Sequence, residues 1–217
     1  MTSRWNRTEV LSGAAYDQRF ERLARAGHDV HAEASFVMGF QPRTVLDAGC
    51  GTGRVAVELW RRGVAVVGVD VDRSALETAC EKAPDVEWFR SDLARLFVPG
   101  SDPVTERLFD VAVMAGNVMI FVEDGSERAV LDRVAAHVRP GGVLVCGFQL
   151  TRGHYGVVDH DRDCAAVGLE LVERFASWSR DPWTIESGYA VSVHSRPEVT
   201  ERDSGSPTPG GGAGRRG

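Results

Sequence analysis

Short, nearly continuous apolar runs alternate with stretches of helical period along most of the chain. The first strong run, Val45-Leu46, leads into a glycine-rich turn and then into Val55, Val57, Leu59 and Trp60 at helical spacing, up to the stop Arg61-Arg62-Gly63. A second run, Val64 to Val69, ends in Asp70; Arg73 to Ala83 then reads as a helix with Asp72 as N-cap and Pro84 as stop. Val86 to Phe89 is a third strand. Ala94 to Arg107 is irregular, broken by Pro99, Gly100 and Pro103, and the run Phe109 to Ala115 has the near-continuous apolar character of a central strand covered on both faces. Ser126 to Val138 is predicted helical, and Arg139-Pro140-Gly141-Gly142 is predicted to turn the chain into a fifth strand, Val143 to Phe148.

Both ends of the chain depart from this alternation. Tyr16, Phe20, Leu23 and Ala24 predict a helix from about Ser12 to Gly27, and Val30, Ala34, Val37 and Met38 a second, ending near Gly39. Because these helices precede the first strand, they must pack on a sheet face or across its ligand edge, as a cap. At the other end a short helix, about Tyr155 to Val167, is followed by two strand-like runs, Leu169 to Trp178 and Tyr189 to His194. Their linker, Ser179 to Gly188, is too short for a crossover helix, which predicts an antiparallel pair. The expected fold is therefore α/β: a Rossmann-like seven-stranded, mostly parallel sheet with a C-terminal antiparallel strand pair and N-terminal capping helices over about 12–40. One domain, residues 1–197, is expected, with 198–217 a disordered Gly/Ser/Pro tail.

Composition narrows the classes of function. At 217 residues and 43% hydrophobic, the chain can bury a substantial core as one domain. No apolar run reaches the ~18 residues of a membrane span, and Met1 to Thr8 lacks the apolar core of a secretory signal. A cytoplasmic protein without a membrane partner is the expectation. The net charge of −6 disfavours a nucleic-acid partner. Cys50, Cys80, Cys146 and Cys164 show no CxxC pairing, so they read as small buried residues and no metal is expected.

Candidate chemistry gathers where the strands end. Gly49, Gly51 and Gly53 let the backbone turn tightly and approach a ligand. Asp47 stands two residues before them, where a carboxylate would repel a pyrophosphate but suit a ligand ammonium. The spacing is GxGxG followed by Arg54, not GxGxxG. Asp70 ends the second strand, a position from which a carboxylate accepts hydrogen bonds from both hydroxyls of a ribose. Asp92 follows the third strand, within reach of an adenine amine, and Asn117 follows the fourth. Each alone could be a helix N-cap; together, beside the glycine turn, they favour a ligand site at the carboxyl edge, where open α/β sheets bind.

At these residues the chain resembles the class I S-adenosylmethionine-dependent methyltransferases, strongly over Thr44 to Phe148 and more loosely in the terminal strand pair. The most specific segments are Val45 to Gly53 (VLDAGCGTG), Asp70, Ser91-Asp92-Leu93 and Arg139-Pro140-Gly141-Gly142. The resemblance implies S-adenosylmethionine as cofactor, with its methionine part on the glycine loop, its ribose on Asp70 and its adenine amine at Asp92 and Leu93. It also implies that Asn117, in the loop Ala115-Gly116-Asn117, lines the methionine part and faces the substrate, and that Tyr16 closes over the cofactor. The segment Gly116 to Phe121 (GNVMIF) lacks the proline and tyrosine of the (D/N)PPY-type motif in enzymes that methylate base amino groups. A small-molecule methyl acceptor is therefore the expected partner; no motif speaks to oligomeric state. His154, just past the fifth strand with Tyr155, is the candidate general base, with His31 as a second option. Two rivals stay open: a non-catalytic S-adenosylmethionine-binding protein of the same fold, and a nicotinamide-dependent oxidoreductase, which leaves Asp47, the glycine spacing and the antiparallel end unexplained.

Overall fold

The computed structural model describes residues 13–27 and 29–198, and the side chains within them other than those of residues 13–16, 19 and 21. Met1 to Thr8 and the tail from 199 onward lie outside the described residues. In chain order the elements are α1 (Gly13–Arg25), α2 (Ala32–Met38), β1 (Thr44–Ala48), α3 (Arg54–Arg61), β2 (Ala65–Asp70), α4 (Arg73–Lys82), β3 (Glu87–Arg90) and β4 (Phe109–Met114). They continue as α5 (Val118–Phe121), α6 (Glu127–Ala136), β5 (Val138–Gln149), α7 (Val157–Ala166), β6 (Glu170–Phe175) and β7 (Tyr189–Ser195).

The seven strands form one sheet in the order β3-β2-β1-β4-β5-β7-β6. The first five pair in parallel, and β7 runs antiparallel to both β5 and β6, as expected. Strand order reverses between β1 and β4, which opens a crevice at their carboxyl ends. Alternation along the strands sorts the core into two layers. Leu46, Val67, Ala112 and Leu144 pack with α6 and α7 on one face, while Val45, Val66, Val111 and Val145 pack with α2 and α3 on the other. Asp72 caps α4 by accepting from the N–H groups of Ser74 (2.8 Å) and Ala75 (3.3 Å), worth about 1 kcal/mol. Among the described residues no helix is long and apolar enough to cross a membrane.

The N-terminal helices reach across the ligand edge. The Asp17 carboxylate of α1 accepts from Thr52 Oγ1 (2.7 Å) in the glycine loop and from Lys82 Nζ (2.6 Å) at the end of α4. Arg54 opens α3 and pairs with Glu33 of α2 (2.9 Å), with its guanidinium 4.1 Å from the centre of the Phe20 ring.

Three local expectations need correction. The predicted turn Arg139-Pro140-Gly141-Gly142 lies inside β5, since Phe109 pairs with Val138 and Val111 with Val143, so the intervening residues bulge from the ladder. The bulge persists because its groups find partners: Arg139 Nε donates to Asp110 (2.6 Å) and Gly141 N–H to Arg196 O (2.8 Å). Val138 accordingly belongs to β5 rather than to the preceding helix. Leu169 to Trp178 is strand only over Glu170–Phe175, because beyond it the chain turns back, with Ala176 N–H donating to Asp181 O (2.8 Å).

Candidate active site

The loop between β1 and α3 is tied to β2 by two bonds to one carbonyl: Gly49 and Cys50 N–H both donate to Val69 O (2.8 and 3.0 Å). Its three glycines adopt φ of +83°, +54° and +78°, but they differ in what surrounds them. A Cβ at Gly49 would stand 2.6 Å from Val118, and one at Gly53 2.7 Å from Trp88 and 3.0 Å from Ala79. A Cβ at Gly51 would meet nothing within 4 Å. Two glycines therefore permit close packing behind the loop, and the third leaves its front open to a ligand.

Asp47 lies beneath this loop, 2% exposed, with Oδ2 accepting from Ala56 N–H (3.0 Å) in the first turn of α3. No ion pair to it forms among the described residues. Burial drives its pKa from 3.8 to about 7, against the pull of the Ala56 N–H and the Arg54 charge. The sequence placed this acid at a strand end; the structure shows it buried there without an ion-pair partner among the described residues. A ligand ammonium would supply one, which is the test that an amino-acid-bearing cofactor passes here.

Asp70 bridges the loop to β2. Its Oδ2 accepts from Gly51 N–H and its Oδ1 from Asp72 N–H, both at 2.8 Å, and burial raises its pKa. Each carboxylate oxygen keeps further acceptor capacity for a ribose hydroxyl. Ser91 N–H donates to Asp70 O (3.0 Å), which sets Asp92 beside it, exposed and capping a 3-10 turn, Leu93–Arg95, through Ala94 N–H (3.0 Å). Leu93 itself is turned into the core, 8% exposed. Asn117 sits in the left-handed region (φ +71°), accepts from Gln149 N–H (2.8 Å) and donates its own N–H to Gly147 O (3.2 Å), stapling the end of β4 to the end of β5. Tyr16 falls within α1, but its side chain lies outside the described residues.

His154 is exposed on the loop after β5 and lines a cleft of about 420 Å³ with Leu150, Arg152, Val157, Trp183 and Ile185. Gln149, whose N–H bonds Asn117, directly precedes Leu150 of this cleft. His31 stands away from it, with Nδ1 3.7 Å from Glu58 on α3. A cleft of about 460 Å³ at the opposite edge is lined by Pro42, Arg43, Asp110 and Arg139. There Asp110 is already satisfied by Arg139 and by Arg43 N–H (2.7 Å), and none of the candidate residues lines it.

Three contributors went unread in the sequence: Trp88, Gly68 and Asp17. The Trp88 ring forms the floor behind the loop, held by its Nε1–H to Ala83 O (3.0 Å), and Gly68 is the β2 position that makes room for it. A glycine inside the run Ala65-Val66-Val67-Gly68-Val69 was the available signal of a close approach.

Comparison with known proteins places this geometry in a family. A family model described as a methyltransferase domain matches residues 45–142. The trans-aconitate 2-methyltransferase of Azoarcus sp. (strain BH72) is 38% identical over 145 residues, 64% of this chain and 51% of that protein. A cypemycin N-terminal methyltransferase from Streptomyces sp. is 36% identical over 103 residues, 46% of this chain and 39% of that protein. The chain thus spans about half or less of the length of these curated relatives. The crystal structure of a TehB-like SAM-dependent methyltransferase from Corynebacterium glutamicum superposes with a TM-score of 0.76 at 33% identity, over 85% of this chain and 97% of that one. With an open glycine turn over a cation-seeking acid, and a third of its residues shared along nearly all of that structure, the chain belongs to the class I S-adenosylmethionine-dependent methyltransferases, whose cofactor is S-adenosylmethionine.

Proposed function

We propose that the chain transfers the methyl group of S-adenosylmethionine to a small-molecule acceptor bound at the carboxyl edge. One observation carries the placement of the cofactor: the buried acid Asp47, without an ion-pair partner among the described residues, stands near the end of the strand that leads into a glycine loop left open at Gly51. When bound, the cofactor supplies a methyl on a positively charged sulfur, which an acceptor lone pair displaces in line, leaving a neutral thioether. No new anion forms on the leaving group, so the protein's task is alignment and exclusion of water, which can contribute on the order of 7–11 kcal/mol.

The residues divide that task. Asp47 holds the ammonium, Asp70 accepts from the ribose hydroxyls, and Asp92 accepts from the adenine amine. Asp17, through Thr52 and Lys82, draws α1 over the loop and closes the site to solvent. The cleft at His154 receives the acceptor, and His154 takes its proton when the acceptor carries one. His154→Ala is expected to leave S-adenosylmethionine affinity within twofold while lowering kcat for a protonated acceptor about a hundredfold. A large loss of cofactor affinity in that variant would show that His154 belongs to the cofactor site instead.

The activity is tested by following S-adenosylhomocysteine release with pools of small amines, carboxylic acids and phenols, and with RNA and DNA. Release dependent on a small molecule is expected. Release only with nucleic acid would overturn the acceptor class, and tight cofactor binding without turnover on any pool would favour the non-catalytic reading.

A further inference from the structure

Behind the acceptor cleft, three metal-ligating side chains meet in the core with no role in methyl transfer. His160 and Cys164 lie four residues apart on one face of α7, and His194 comes from β7. They are 0%, 0% and 1% exposed. Cys164 Sγ is 3.7 Å from His160 Nε2, and one donor atom from each of the three residues lies within 4.8 Å of the others. We propose that His160, Cys164 and His194 form a structural site for a zinc-class divalent cation, which locks α7 to β7.

Three independent features support this. First, Nδ1 of His194 is buried and makes no hydrogen bond among the described residues, a costly arrangement that a bound cation would relieve. Second, His194 has the outer support typical of a metal-bound imidazole. Its Nε2 faces Asp161 Oδ1 at 3.2 Å, which leaves Nδ1 with the lone pair, and Asp161 is in turn held by Arg174, whose Nε donates to Ser192 Oγ (2.9 Å). Third, the donors are chemically apt. Two imidazoles with one thiolate are a zinc-type set. Tetrahedral zinc, with bonds of about 2.0 Å to nitrogen and 2.3 Å to sulfur, holds its donors roughly 3.3–3.7 Å apart. Small side-chain rotations bring the three atoms to that spacing, and the thiol proton is released as the cation binds.

The site has a consequence for the cleft. Val157 and Val158, in the first turn of α7, form part of the wall around His154. A cation joining His160 to His194 fixes that wall from behind. This assignment stands independently of the methyl-transfer reading.

The test uses the full chain, stripped with a chelator and titrated with Co²⁺ and then Zn²⁺. One equivalent of Co²⁺ is expected to bind with a thiolate-to-cobalt charge-transfer band. That band should disappear in Cys164→Ser and persist in Cys80→Ser, whose thiol is exposed and remote. Absence of the band in the unsubstituted protein, or its survival in Cys164→Ser, would overturn the assignment. Should Cys164→Ser fail to fold, the unsubstituted protein decides through its melting temperature. A rise of about 5 °C or more with one equivalent of Zn²⁺ is expected, and no change would overturn the site.

Discussion

Replacing Asp47 with asparagine is expected to weaken S-adenosylmethionine binding about a hundredfold at pH 8 while raising the melting temperature of the ligand-free protein. The two effects share one cause. In the folded chain Asp47 titrates at about 7, against 3.8 for an ordinary aspartate, because burial outweighs the Ala56 hydrogen bond and the Arg54 charge. The folded state therefore keeps a proton that the unfolded state releases, so stability falls as pH rises from 3.8 to 7 and stays lower above it. A shift of that size corresponds to about 4 kcal/mol carried by the ionised form. Asparagine keeps an oxygen for Ala56 N–H and carries no charge, so about 2 kcal/mol of stability should return, less than the full amount because its buried NH₂ needs a partner. The loss in binding, about 2.7 kcal/mol, is the ammonium–carboxylate pair. A further sign follows from the same titration. Near pH 6.5 the cofactor's ammonium forces Asp47 to ionise, so binding releases protons and its measured enthalpy varies with the ionisation heat of the buffer. An asparagine variant that binds as tightly as the unsubstituted protein would make Asp47 a helix cap and nothing more.

Gly68→Ala is expected to destabilise the fold by about 3 kcal/mol, and Gly68→Val by more. A Cβ at Gly68 would stand 2.2 Å from Trp88 Cζ3, 2.3 Å from Cε3 and 3.2 Å from Cys50 Sγ. The indole has nowhere to retreat. Its Nε1–H is bonded to Ala83 O, and its six-membered ring already closes against Gly53 as well. Any shift of Trp88 therefore moves the glycine loop, so cofactor affinity should fall together with stability. Urea melts of Gly68→Ala and of Gly68→Ala/Trp88→Leu measure the coupling. The double variant should recover part of the loss suffered by the single one. Unchanged melting of Gly68→Ala would remove Trp88 from its place as the floor of the loop.

The central strands could be read in advance because parallel strands buried on both faces carry near-continuous apolar runs, as Phe109 to Met114 does with Asp110 its one polar residue. The antiparallel end was equally readable, since a ten-residue linker containing Asp181-Pro182 holds no crossover helix. The glycine trio and the acids at strand ends stood out by position, and the structure gathers Asp47, Gly51, Asp70 and Asp92 at one edge. What escaped prediction is of another kind. Periodicity cannot show which side of a loop an acid takes, so the burial of Asp47 could not be read from its place before the glycines. The bulge at Pro140-Gly141-Gly142 has the composition of a turn, and contacts distant in sequence, Asp110 with Arg139 and Arg196 with Gly141, keep it within β5. A four-residue helix such as α5 is too short to show a period. Gly68 meets Trp88 through β2–β3 pairing, so the glycine signals a close approach without naming its partner, and His194 meets His160 by contact between α7 and β7, which has no local signature.

The most direct measurement is a calorimetric titration of the purified chain with S-adenosylmethionine, S-adenosylhomocysteine and NAD, repeated on Asp70→Ala. The first two are expected to bind and NAD is not, and Asp70→Ala is expected to lose at least tenfold in affinity for both ligands. Binding of NAD in their place, or full affinity in Asp70→Ala, would contradict the site.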